Sequence, residues 1–146
     1  MTGNGLAMEV ARGMFAREGT GPFWGIEILD AGEGYAKLAM TVRADMLNGY
    51  GSIHGGMIFA LADTAFAYAC NSRNVATVAQ AASIIFLAPA HVGETLVAEA
   101  REEALSGRSG AYSIQVTTHE DGRVIAQFQG RSRATGGAAI EIQDQI

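Results

Sequence analysis

Four residues between positions 48 and 63 are candidates for chemistry on a carbonyl group: Asn48, His54, Gly55 and Asp63. Asp63 is the one charged residue in the apolar run 57–70. An unpaired carboxylate in apolar surroundings is destabilising unless its pKa shifts and it takes up a proton. Asp63 is therefore either a catalytic carboxylate or a structural one that is paired with a backbone donor or an arginine.

The residues before Asp63 offer the complementary group. Gly55 and Gly56 lie at the predicted start of a helix, where backbone N–H groups are unpaired and the dipole is positive. Without side chains they allow a carbonyl oxygen to come close, as an oxyanion hole requires, although glycine pairs are also common in plain connectors. His54 either positions a donor or caps the helix. Asn48 either holds the carbonyl or a water, or belongs to an ordinary Asn-Gly turn.

The spacing of Gly55 and Asp63 predicts how these groups can meet. Eight helical residues separate them, which corresponds to about 12 Å along the helix axis. One carbonyl cannot contact both groups at that distance, so a common site needs two copies of the chain. Two antiparallel helices related by a two-fold axis would place Asp63 of one copy opposite Gly55 of the other. We therefore expect an obligate dimer with two composite sites.

The pattern of apolar residues predicts the elements that position these groups. We expect helices over 5–18 and 57–70, and strands over 23–29, 35–42, 75–87, 95–105, 111–119 and 124–133. The strands after the long helix read as an antiparallel meander, and the helix, apolar on nearly every side, reads as buried all round. The fold class is α+β: an antiparallel sheet of five or six strands wrapped around one long central helix, with a short N-terminal helix, as in a hot-dog fold. Residues 1–146 form one predicted domain.

Composition narrows the function. The formal charge is -5, with 15 acidic and 10 basic residues, which argues against a nucleic-acid partner. The single cysteine, Cys70, excludes an internal disulfide and favours a reducing, cytoplasmic location. No apolar run reaches the roughly 20 residues that span a bilayer, so we expect no membrane partner. His54, His91 and His119 are too scattered for a local zinc motif, and the sequence indicates no metal and no cofactor.

Long stretches of the chain resemble one family. The string from His54 to Ser72 is similar to the signature of hot-dog thioesterases of phenylacetic acid degradation, and further similar segments are 46–49, 86–89 and 128–133. The resemblance implies hydrolysis of acyl- or arylacetyl-CoA thioesters by a tetramer built from two dimers. It makes Asp63 the nucleophile or general base and the Gly55 N–H the oxyanion donor. His54 would orient that donor, and Asn48 would bind or orient the carbonyl or water.

Some details depart from the family pattern or stay open. Met57, Ala88 and Ile85 stand where the family often has a glutamine, a basic residue and an acidic residue. Arg131 and Arg133 are candidates for the CoA phosphates, or plain surface charges. Phenylacetyl-CoA and its hydroxylated relatives as substrates rest on the resemblance alone. The alternatives are a hot-dog hydratase or dehydratase, with His54 as acid–base partner of a carboxylate, and a non-catalytic acyl-CoA-binding module.

Overall fold

The structure is a computed structural model that describes residues 2–142. Met1 and residues 143–146, at the two ends of the predicted domain, lie outside the described residues. In chain order the elements are α1 (Gly3–Arg17), α2 (Thr20–Phe23), β1 (Glu27–Gly32), β2 (Tyr35–Thr41), a 3-10 turn (Ala44–Met46), α3 (Gly55–Cys70), β3 (Thr77–Phe86), β4 (Thr95–Ser106), β5 (Ser109–Thr118) and β6 (Val124–Ala134). The predicted fold class is confirmed: one antiparallel sheet, one long helix and a short N-terminal helix.

The largest boundary error concerns β1. The predicted strand begins at Phe23, whereas the chain makes a helical turn there, α2, and β1 starts at Glu27. The Trp24 N–H donates to the Thr20 carbonyl at 2.9 Å, which closes that turn. The Gly-Pro pair at positions 21 and 22 reads locally as a stop signal for the preceding helix. Proline also fits the first turn of a helix, because its missing N–H would have no partner there.

The strand order corrects the predicted meander. The six strands lie in the order β1-β2-β4-β5-β6-β3, and every pairing is antiparallel. Only β4, β5 and β6 form a meander, since β3 pairs with β6 at the far edge of the sheet. This order lets α3 contact β2 and β4 as well as β5, β6 and β3. A simple meander would leave one flank of the helix uncovered.

The centre of the core lies between α3 and the concave face of the sheet. Phe66 of α3 is 1% exposed and packs edge-on against Tyr112 of β5, with ring centroids 5.3 Å apart. A Cβ atom at Gly130 of β6 would come within 2.7 Å of the Phe66 ring. Glycine at position 130 therefore lets the sheet approach the aromatic ring. Burying a side chain of this size contributes about 1.5–3 kcal/mol.

One face of α3 is left open, and the prediction of a helix buried all round is wrong for the single chain. The residues of this face are only partly buried and recur every three or four positions; we call Ala60, Asp63, Ala67 and Cys70 the open stripe. The sheet curls around the opposite face, which carries Leu61, Ala62, Ala65 and Ala69. A six-stranded sheet covers most of the helix but cannot enclose it completely.

Candidate active site

The N-terminus of α3 has one backbone donor to spare. His54 is the N-cap residue, and its Nδ1 atom accepts a hydrogen bond from the Gly56 N–H at 2.9 Å. The His54 carbonyl accepts from the Met57 N–H at 2.9 Å. The Gly55 N–H has no hydrogen-bond partner among residues 2–142. A single donor at the positive end of the helix is thus available to a carbonyl oxygen.

The capping bond decides what His54 does within one chain. Because Nδ1 accepts a hydrogen bond from a backbone N–H, the neutral ring carries its own proton on Nε2. His54 therefore fixes the first turn of α3 and only indirectly the direction of the Gly55 N–H. Both interpretations of His54, as a cap and as a group that positions a donor, meet in this one hydrogen bond.

Asn48 organises the loop that precedes α3. Its Oδ1 atom accepts hydrogen bonds from the Tyr50 N–H at 2.9 Å and from the Ser52 N–H at 3.2 Å. Its Nδ2 atom donates to the Ser52 Oγ atom at 3.0 Å. An amide nitrogen has two hydrogens, so one donor position of Asn48 remains after these bonds. The Asn-Gly turn and a ligand contact are compatible, because they use different atoms.

Asn48 and Gly55 line the same cavity, which we call the Gly55 cavity. It has a volume of about 400 Å³, and its lining includes Asn48, Ser52, Gly55, Ile58, Phe86 and Pro89. A Cβ atom at Gly55 would come within 3.0 Å of the Phe86 ring, so the ring lies directly over the helix start. The cavity joins a backbone donor and an amide to apolar walls, as a site for a thioester needs.

Sequence reasoning missed Ser52 and Phe86 as residues of this site. Ser52 follows Asn48 closely, at a spacing where a serine closes a turn begun by an asparagine. Phe86 belongs to the similar segment 86–89, but the contact that matters is with Gly55, far earlier in the chain. No local pattern reports a contact over that separation.

Asp63 lies on the open stripe and carries no ion pair or hydrogen bond within the described part of the chain. The structural explanation, a carboxylate paired with an arginine or a backbone donor, is therefore not found there. Burial raises the pKa of the Asp63 carboxyl above its ordinary value. Asp63 does not line the Gly55 cavity. One chain holds both halves of the predicted apparatus but does not bring them together.

The other candidate residues lie elsewhere. Arg131 and Arg133 are exposed, while their neighbours Gly130 and Ser132 face α3. The two arginines therefore lie on the convex face of the sheet, away from the Gly55 cavity of the same chain. The Cys70 thiol is partly buried, and burial raises its pKa to about 12, which makes it a poor nucleophile at neutral pH.

Two further searches of residues 2–142 gave negative results. No group of three or more histidine, cysteine, aspartate or glutamate side chains there is arranged to hold a metal ion. None of the helices in this range combines the length and the apolar character that a membrane crossing demands.

Comparison with known proteins defines the class. The family model of the thioesterase superfamily matches residues 50–125. The acyl-coenzyme A thioesterase PaaI of Escherichia coli strain K12 is 43% identical over 131 residues, which cover 90% of this chain and 93% of that protein. The solved structure of the E. coli PaaI protein from the phenylacetic acid degradation operon covers 94% of this chain and 99% of its own, with a TM-score of 0.91 and 41% identity. The TT0310 protein of Thermus thermophilus covers 81% and 98%, with a TM-score of 0.77 and 36% identity.

The chain belongs to the thioesterase superfamily and, within its hot-dog fold, to the acyl-CoA thioesterases of the phenylacetic acid degradation type. It is a thioester hydrolase that acts on acyl-CoA.

Proposed function

We propose that this thioesterase hydrolyses acyl-CoA at sites shared between two subunits, with Asp63 from one subunit and the Gly55 N–H from the other. One observation carries the proposal. A carboxylate and a backbone donor on the same helix, about 12 Å apart, both lack a partner in the described chain. Native proteins rarely leave such groups unsatisfied, so each indicates a ligand or a second subunit.

The chemistry needs only these two groups. The Gly55 N–H donates to the thioester oxygen as negative charge develops there, in a cavity with apolar walls. The Asp63 carboxylate either attacks the carbonyl carbon or removes a proton from an attacking water. In the first route the C–S bond breaks, CoA leaves as thiolate, and water then cleaves the acyl–aspartyl anhydride. In the second route, water adds directly and the same C–S bond breaks.

The supporting residues have graded roles in this proposal. His54 keeps the first turn of α3 fixed through the Gly56 N–H, so the neighbouring Gly55 N–H holds its direction. Asn48 offers its remaining Nδ2 hydrogen to the carbonyl or the water. The hydratase alternative needs His54 beside a carboxylate, and no carboxylate in residues 2–142 bonds to it.

Two surfaces support the two-fold arrangement. The open stripe of α3 carries small residues on both sides of Asp63, so a second helix can approach closely. The strand β3 lies at an edge of the sheet, and eight of its ten residues are exposed, including Val78, Ile85 and Phe86. An apolar edge strand of this length is prone to pair with another chain. A homodimer is the smallest assembly that completes the sites, and a homotetramer of two such dimers is the family-based expectation.

The substrate range follows the relatives. We propose phenylacetyl-CoA or hydroxylated phenylacetyl-CoA, because the similar E. coli protein comes from the phenylacetic acid degradation operon. Phe86 and Ile58 give the Gly55 cavity apolar walls that suit such a substrate. Arg131 and Arg133 are proposed for the CoA phosphates. They are exposed cations two residues apart on β6, and neither forms an ion pair within residues 2–142.

Subunit complementation tests the shared site. Asp63→Asn removes the carboxylate, and Gly55→Pro removes the N–H donor at a helix position that tolerates proline. Each variant alone should release little thiol from phenylacetyl-CoA. After the two are mixed and allowed to exchange subunits, activity should return to about a quarter of wild type, because half of the dimers are mixed and each has one intact site.

The control is a mixture of Asp63→Asn with the double variant Gly55→Pro/Asp63→Asn, which contains no intact site in any dimer and should stay inactive. No recovery in the first mixture, despite subunit exchange seen by mass spectrometry, would show that Asp63 and Gly55 act within one chain or not at all.

A further inference from the structure

A second cavity lies at the C-terminal end of α3, and we call it the Cys70 cavity. It has a volume of about 200 Å³, and its lining includes Cys70, Arg73, Val75, Leu105, Arg108 and Tyr112. Val75 and Leu105 are 44% and 55% exposed, so the cavity has an apolar, open rim. Arg73 is bound to Glu102 at 2.8 Å, whereas Arg108 makes no ion pair in the described chain. Nothing in the mechanism of a single site uses this cavity.

The helix register places this cavity beside the other subunit, an inference that rests on the shared site proposed above. If Gly55 faces Asp63 of the partner subunit, the two helices cross midway, at Phe59. Phe59 is 36% exposed, as a residue at such a crossing must be in the single chain. Cys70 lies seven residues beyond Asp63, so it faces the position seven residues before Gly55, which is Asn48. The Cys70 cavity of one subunit therefore meets the loop 48–52 of the other.

The edge strand leads to the same placement independently. The Gly55 cavity includes residues 86–89, at the C-terminal end of β3. The Cys70 cavity includes Val75 and Thr77, at its N-terminal end. When two β3 edges pair antiparallel across a two-fold axis, the C-terminal end of one lies beside the N-terminal end of the other. The two cavities then join into one cleft that runs past Asp63.

Tyr50 is the residue that reaches furthest across this junction. It lies at the tip of the loop 48–52 and is 97% exposed. The loop itself is held in place, because Asn48 bonds to both the Tyr50 N–H and the Ser52 N–H. A tyrosine ring held in water on a fixed loop is stabilised when it is buried against an apolar wall. The unpaired Arg108 adds a cation at the rim of the cavity, which suits the face of an aromatic ring.

We propose that Tyr50 of each subunit inserts into the Cys70 cavity of the partner subunit and closes that end of the cleft. The open stripe forms a groove of small residues from Asp63 along Ala67 to Cys70, about 10 Å long. An acyl group held at Asp63 extends along this groove until it meets the Tyr50 ring. Tyr50 thus sets the length of acyl group that the enzyme accepts, and short or aryl groups are preferred over long chains.

The single natural cysteine makes the contact directly testable. Tyr50→Cys places a second thiol in the loop, and a disulfide with Cys70 of the partner subunit forms only if the Cα atoms lie within about 4.4–6.8 Å. Mild oxidation with diamide should convert most of this variant into a covalent dimer on non-reducing gels. The matched control, Tyr50→Cys/Cys70→Ala, should remain monomeric on the same gels. No covalent dimer, or one that persists in the control, overturns the placement of Tyr50.

Activity tests the consequence. Tyr50→Ala should raise kcat/KM for a long-chain acyl-CoA relative to phenylacetyl-CoA by about tenfold or more, an effect of about 1.4 kcal/mol. An unchanged ratio overturns the role of Tyr50 in acyl length. The complementation experiment separates the two proposals. Recovered activity without the disulfide crosslink of the Tyr50→Cys variant leaves the shared site standing and removes only Tyr50, whereas failed complementation removes the shared site itself.

Discussion

The two halves of α3 treat their polar groups in opposite ways. At the N-terminal half, His54 and Asn48 supply hydrogen bonds to nearly every backbone group of the loop and first turn, and only the Gly55 N–H is left over. In the second half, the helix is almost entirely apolar, and the one carboxylate, Asp63, has no partner in residues 2–142. The first region presents a single free donor to an anion. The second holds a single acid that nothing stabilises.

This contrast teaches where the chemistry divides. The N-terminal half binds negative charge through a positive dipole end and a fixed donor. The half that contains Asp63 offers a carboxylate whose proton affinity is raised by burial, which raises its pKa. A thioester needs both, a donor for its oxygen and a base or nucleophile at its carbon. Each half of α3 is useful only beside the complementary half of another helix.

The strongest test of the contrast is the substitution Asp63→Asn. Asparagine has nearly the same shape but cannot act as base or nucleophile, so kcat should fall by about 10²–10⁴-fold. The thermal midpoint should stay the same or rise, because a half-buried charge without a partner is removed. Thiol release and calorimetry check the two results. A variant that loses activity together with stability would indicate a structural carboxylate.

A second substitution tests the free donor in the other half. Gly55→Pro deletes the one unpaired N–H, and kcat should drop by about 10²–10³-fold, as for the loss of an oxyanion donor. Gly55→Ala is the matched control, since it adds a Cβ atom that meets the Phe86 ring at 3.0 Å but keeps the N–H. If alanine and proline reduce kcat equally, the crowding of Phe86 and not the donor would explain the loss.

A smaller effect is expected for the cap. His54→Ala removes the acceptor of the Gly56 N–H and should lower stability by about 1 kcal/mol. His54→Asn should restore most of this stability, because asparagine is a good N-cap acceptor. Denaturant unfolding of the three proteins measures the differences. Rate constants should follow the cap: if His54→Asn regains stability but not kcat, the imidazole has a further role beyond the first turn.

The smallest effect concerns pH. The pKa of Asp63 is raised in the folded protein, so the folded state favours the neutral acid more than the unfolded chain does. The contribution of Asp63 to stability is present below the ordinary aspartate pKa and is lost as pH rises through the raised value. The stability advantage of Asp63→Asn over wild type should therefore grow with pH across that window. A constant difference in unfolding free energy from acid to neutral pH would contradict the raised pKa.

Much of the fold can be predicted from local patterns. The alanine-rich run at 57–70 is too long for a strand, and α3 indeed covers it, beginning two residues earlier at Gly55. Alternation and glycine turns locate β4 to β6 within one or two residues. The place of β3 at the far edge of the sheet does not follow from them, because strand order depends on which strands meet across long separations, and no local period records that.

The sequence by itself determined the types of the candidate reacting groups, their spacing along one helix and the family they resemble. These follow from residue identity and from the fixed rise of an α-helix. Only the tertiary structure decided which groups lack partners: that His54 caps Gly56, that Asn48 is used mainly by its own loop, and that Asp63 lies on the open stripe. Hydrogen bonds and burial depend on what packs around a residue in space, and that information is distributed over the whole chain.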